Sequence, residues 1–92
     1  MYTLIYSKSF NKAYKKLRRN GKFSREDFEM VVTILRRGER FPEKYQDHQL
    51  QGRFDGYREC HIRPDLLLIY KIEKDILILT LINIGSHSEL FK

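Results

Sequence analysis

Ninety-two residues, 41% apolar, 33% charged and 13% aromatic, give one globular domain spanning 1–92, too short to divide and too apolar to stay disordered. The longest apolar runs, 66–70 and 76–79, fall far short of the ~20 residues of a membrane span, and Met1-Tyr2-Thr3-Leu4-Ile5 lacks the charged start of a secretion signal. The net charge of +6 is uneven: residues 1–25 hold eight Lys and Arg and no acid, which suits nucleic acid or an acidic protein as well as a plain solvated helix face.

Residues 2–6 are rich in aromatic and β-branched side chains and predict a short strand. Phe10, Ala13, Tyr14 and Leu17 then follow the i, i+3, i+4, i+7 spacing of one helix face, with Lys and Arg on the other and a stop at Asn20-Gly21. Ser24 caps a second helix, with Asp27 near its positive end, a buried stripe of Phe28, Val31, Val32 and Leu35, and Gly38 closing it. The two are expected to form an antiparallel hairpin. Residues 39–56, with Pro42, Gly52 and Gly56, show no sustained period and predict a long loop, a length more often functional than idle. Strands follow at 57–62, 66–73 and 76–83, the last two joined tightly at Lys74-Asp75. Their near-continuous apolar character implies cover on both sheet faces. Beyond Gly85, Ser86-His87-Ser88-Glu89 has the form of a capping box opening a final helical turn. The order β-α-α-β-β-β with a C-terminal turn is an α+β layout: two N-terminal helices packed on a small, mostly antiparallel sheet. Cys60, the single cysteine, excludes an internal disulfide and makes a reducing cytoplasm the expected compartment.

The chemistry gathers around three histidines. His48 follows Asp47 in the loop, His61 lies near a strand end, and His87 opens the last turn. Pro64 drives Arg63 to an extended conformation, which sets Asp65 at the mouth of the next strand. Imidazoles exchange protons near neutral pH, and several together suit general acid–base work, although each taken alone is more often a surface or hydrogen-bonding residue. Alternation along the strand puts Tyr57, Glu59 and His61 on one face and Arg58 and Cys60 on the other. A Cys–His nucleophile is therefore disfavoured.

The wording around those histidines narrows the field. Tyr45-Gln46-Asp47-His48-Gln49-Leu50-Gln51-Gly52, the stretch from Gly56-Tyr57-Arg58-Glu59-Cys60-His61 through Ile62-Arg63-Pro64-Asp65-Leu66 to Tyr70, and Gly85-Ser86-His87-Ser88-Glu89-Leu90-Phe91 resemble the YafQ-like toxins of the RelE/ParE toxin–antitoxin superfamily. The resemblance spans the whole chain. It implies a RelE-like fold and a ribosome-dependent mRNA endoribonuclease that uses no metal or other cofactor. The implied partners are the ribosome, mRNA and a cognate acidic antitoxin, partly disordered until bound and assembled with the toxin as a heterotetramer; no membrane is involved. The family's functional positions fall on His48, His61, Asp65, His87 and Phe91, all matching in type. Two positions depart: Leu66 stands where the family often has tryptophan, and Asn83 where it usually has arginine.

The mechanism implied is cleavage through the RNA's own 2′-hydroxyl, leaving a 2′,3′-cyclic phosphate. His87 is expected to be the acid, Asp65 or His48 the base, and His61 a group that orients or binds phosphate. Phe91 stacks on a base in this scheme, or else simply packs in the core. Arg53, Arg58 and Arg63 flank the site in sequence and are candidate phosphate contacts, and Asn83 raises the question of what replaces the arginine clamp. Two rival classes remain. Three histidines and an aspartate suit a zinc hydrolase in residue type but lack its short helical ligand spacing. A non-enzymatic relative that blocks a DNA topoisomerase would have no need of proton donors.

Overall fold

Ser7 ends the first strand, β1 (Thr3–Tyr6), and its hydroxyl accepts the Phe10 N–H to open helix α1 (Lys8–Arg18). The computed structural model describes residues 1–21 and 23–91. Ser24 caps α2 (Arg25–Arg37) through the Asp27 N–H, and Gly38 closes it at φ 68°, a left-handed turn that glycine adopts without steric cost. The helices meet through rings, with Phe28 lying 5.9 Å from Phe10 and 5.0 Å from Tyr14.

The long loop is more structured than its composition suggests. Single 3-10 turns at Glu43–Tyr45 and Gly52–Phe54 flank a two-residue strand, β2 (His48–Gln49). It pairs antiparallel with β3 (Arg58–Arg63), His48 opposite Glu59 and Gln49 opposite Arg58. Two residues have no period to detect, so β2 shows only once its partner strand is in place. β3 pairs with β4 (Leu66–Glu73), β4 with β5 (Ile78–Gly85), and β1 lies parallel to β5. The sheet therefore has five strands in the order β1-β5-β4-β3-β2, antiparallel except at the β1 edge.

The β4–β5 connection is longer than the tight Lys74-Asp75 turn expected. Glu73 pairs with Ile78, which leaves residues 74–77 as the turn, with Leu77 left-handed at φ 54°. Ile76 and Leu77 look like strand but are more than half exposed, so their apolar identity mimicked a continuation of β5.

Both faces of β4 are covered, as its unbroken apolar run requires. On one face Phe10, Val31, Val32 and Leu35 from the helices pack on Cys60, Leu68, Tyr70, Leu79 and Leu81. On the other, Leu67 and Ile69 are covered by Leu90 of the short helix α3 (His87–Leu90), with Leu50, Phe54, Tyr57, Ile82 and Phe91 around them. The capping box forms as expected: Ser86 accepts the Glu89 N–H while the Glu89 carboxylate accepts the Ser86 N–H. No helix of the described residues is long and apolar enough to cross a membrane.

Candidate active site

The face that carries α3 also carries the histidines. Pairing sets His48 beside Glu59, and directly paired side chains share a face of the sheet. His61, two residues beyond Glu59 on β3, joins them by the period-2 alternation. The Glu59 Oε1 atom lies 3.5 Å from His48 Nε2 and 3.4 Å from His61 Nε2, and the two rings are 6.4 Å apart. Glu59 is only 4% exposed, whereas the His48 ring is open to solvent. His48 Nδ1 lies 2.7 Å from the Gln46 carbonyl. A carbonyl oxygen can only accept, so Nδ1 carries the proton and Nε2 is left facing the carboxylate.

The second half of the site is built at the start of α3. His61 pairs with Leu67, and Leu67 with Gly85, so the strand leading into His87 runs two inter-strand steps, about 10 Å, from His61. Asp65, in the β3–β4 turn, accepts the His87 backbone N–H at 3.2 Å and so ties that turn to α3. The His87 ring lies 5.1 Å from Phe91, which meets Phe54 edge-on at 5.3 Å. Phe91 is thus half in the core and half on the face that carries His87.

The three arginines separate. Arg53 places its guanidinium over the Phe54 ring, next to the Phe91–His87 stack. Arg58 turns to the helix-bearing side and donates to Asp47 at 2.7 Å, a bond that raises its pKa further. Arg63 pairs with Asp27 of α2 at 2.6 Å. Asn83 sits opposite Ile69, in the cross-sheet row that begins with His48 and Glu59, and its Oδ1 accepts the Ile84 N–H. It borders a groove of about 890 Å³ lined also by Lys12, Lys15, Lys16 and Arg19. Leu66 packs against the helix-side core. Cys60 is fully buried on that same side, and burial pushes its thiol far above its ordinary range, which leaves it protonated and unreactive. Among the described residues no group of three or more His, Cys, Asp or Glu is arranged to hold a metal ion.

Glu59 escaped the sequence reading. Alternation puts it on the face of His61, but a lone glutamate on a strand ordinarily meets solvent, and the pairing that sets β2 beside it has no period in the sequence.

Comparison with known proteins agrees with this fold. The profile of the family described as "Bacterial toxin of type II toxin-antitoxin system, YafQ" matches residues 2–92. The mRNA interferase toxin YafQ of Escherichia coli strain K12 is 31% identical over 86 residues, covering 94% of this chain and 91% of that protein. The crystal structure of a metal-bound toxin from Helicobacter pylori superposes with TM-score 0.92 at 45% identity, over 99% of this chain and all of that one. The E. coli DinJ–YafQ complex gives 0.88 at 31% identity over the full length of both chains. Two helices on a five-stranded, mostly antiparallel sheet, with a histidine-lined face under a short C-terminal helix, define a RelE-like toxin domain. Within that class the chain belongs to the YafQ family of bacterial type II toxin–antitoxin toxins.

Proposed function

We propose that this toxin is a cytoplasmic mRNA interferase: an endoribonuclease of one domain, residues 1–92, that cuts mRNA on the ribosome without a metal and is neutralised by an acidic antitoxin. The observation that carries the reading is the Glu59 carboxylate between the two imidazoles of His48 and His61, on the face that also bears His87. Relatives with this fold are named mRNA interferases, and one was solved bound to its antitoxin DinJ. The acid-free basic run of residues 1–25 supplies charge for such an antitoxin.

His48 takes the 2′-hydroxyl proton on Nε2, because Nδ1 is already committed to Gln46. Glu59 steadies the imidazolium so formed. The 2′-oxygen attacks phosphorus, the bond to the 5′-oxygen breaks, and His87 protonates the departing oxygen. The products are a 2′,3′-cyclic phosphate and a 5′-hydroxyl. His61 binds or orients the phosphate. Asp65 holds the start of α3, and with it His87, in place. Phe91 and Phe54 offer ring surface to a base, with Arg53 beside them as a phosphate contact.

The test is incubation of the protein with programmed ribosomes and a defined mRNA. Wild type should cut the message, and His87→Ala should lower the rate by ~10²–10⁴, the usual contribution of a general acid. An intact message in the presence of wild-type protein overturns the reading.

A further inference from the structure

His48 sits on the weakest strand of the sheet. β2 has two paired residues at an edge, too few to hold an imidazole still without help, since isolated short pairs are marginal in water. The residue before it points through to the opposite face. There Asp47 uses both carboxylate oxygens: Oδ1 accepts the Tyr70 hydroxyl, and Oδ2 accepts the Arg58 guanidinium at 2.7 Å. Tyr70 is 1% exposed in the middle of β4, and Arg58 is in β3, so the carboxylate is bolted to the two strands that carry the rest of the site's floor. On the near side, Gln46 adopts a left-handed conformation at φ 48°, and its carbonyl meets His48 Nδ1.

We propose that Asp47, Tyr70 and Arg58 form an anchor whose task is to position His48 over the scissile ribose, making them positioning residues of the cleavage reaction. The proposal rests on the assignment of His48 as base. Asp47 and His48 are adjacent and face opposite ways, so any slack in the Asp47 bonds turns the intervening backbone and swings the imidazole. Displacement of a reacting group by about 1 Å is enough to cost ~10² in rate. The Tyr70 phenol is kept protonated far above its ordinary pKa, first by burial and then by Asp47, so the donor persists throughout the working range. The Arg58 pairing gives that arginine this second task.

The experiment is a double-mutant cycle on single-turnover cleavage of ribosome-bound mRNA. Tyr70→Phe keeps the buried ring and deletes only the hydroxyl; Asp47→Ala removes the carboxylate. Each is made with His48 intact and with His48→Ala. The expected result is a loss of about 10- to 100-fold in the maximal rate for both variants, with half-saturation within about twofold, and no further loss from either when His48 is already alanine. Equal losses in both backgrounds would show a general structural effect and overturn the anchor. Full activity of Tyr70→Phe beside a crippled His48→Ala overturns the anchor alone, whereas full activity of His48→Ala removes the base assignment itself. Should Asp47→Ala fail to fold, the Tyr70→Phe cycle decides by the same criterion.

Discussion

His48 and His61 come from strands that meet at the sheet edge, and their Nε2 atoms stand 3.5 and 3.4 Å from one oxygen of Glu59. A buried carboxylate flanked by two imidazoles is costly to maintain unless it stabilises a positive charge that forms nearby. Glu59→Gln keeps the shape and deletes the charge. Cleavage by this variant should fall by ~10²–10³, the scale of losing one preorganised electrostatic group, while thermal stability stays level or rises. Parallel cleavage and melting measurements check both halves. Unchanged cleavage would detach Glu59 from the chemistry.

Asp65 separates two roles by substitution. Its Oδ1 accepts the His87 N–H, a bond that the asparagine side-chain carbonyl can reproduce and alanine cannot. Asp65→Asn should therefore retain most single-turnover activity, and Asp65→Ala should lose about 10-fold or more as α3 loosens. If both variants are equally inactive, Asp65 is itself the base and His48 is not.

Asn83 stands where the family resemblance leads one to expect an arginine, and Arg58 and Arg63 are each paired with an aspartate. The cations around Asn83 are Lys12, Lys15 and Lys16 of the N-terminal helix and Arg19 at its end, with Lys16 also 3.8 Å from Glu89. Lysine is a point charge without the bidentate fork that fits a phosphate. Asn83→Arg should raise the single-turnover rate by about 10-fold or more, up to the ~10²–10³ of a transition-state donor, with ribosome affinity unchanged. A neutral result would show that the cations of this groove already supply the charge.

Burial raises the pKa of both Tyr70 and Cys60, which has a consequence for alkaline stability. In the unfolded chain the thiol ionises near its ordinary 9.0 and the phenol near 10.0, while the folded protein keeps both protons. The folded state therefore binds more protons above those values, and stability falls as pH rises, by about 1.4 kcal/mol per pH unit for each group. Below pH 9 neither contributes a slope. Denaturant melts from pH 8 to 11 should show the decline. Cys60→Ala should remove the part that begins near 9, and Tyr70→Phe the part that begins near 10.

The helices, the three main strands and the capping box were legible because each has a period or a cap that local physics reads directly. Phe10 to Leu17 and Phe28 to Leu35 repeat at helix spacing, and Ser86 with Glu89 fits only a helix start. His48, His61, Asp65, His87 and Phe91 were singled out by the wording around them, and the structure sets His48 and His61 about one oxygen of Glu59 and ties Asp65 to His87. β2 was not, because a two-residue strand is created by its partner and not by its own sequence. The burial of Glu59 and the tie between Asp47 and Tyr70, 23 residues apart, follow from that pairing and were hidden with it. Arg58 is the instructive case: alternation sets it beside Cys60, away from His61, and the structure pairs it with Asp47 on that side.

The central claim, that the chain cuts RNA through the RNA's own 2′-hydroxyl, is tested most directly by changing a single atom of the substrate. An mRNA carrying one 2′-deoxynucleotide immediately 5′ of the scissile bond is threaded on ribosomes and mixed with wild-type toxin, alongside the all-ribose message. The expected result is cleavage of the ribose message to a 2′,3′-cyclic phosphate and a 5′-hydroxyl, and no cleavage at the substituted position. Cutting of the deoxy-substituted message at that bond, leaving a 3′-hydroxyl and a 5′-phosphate, would contradict the mechanism outright.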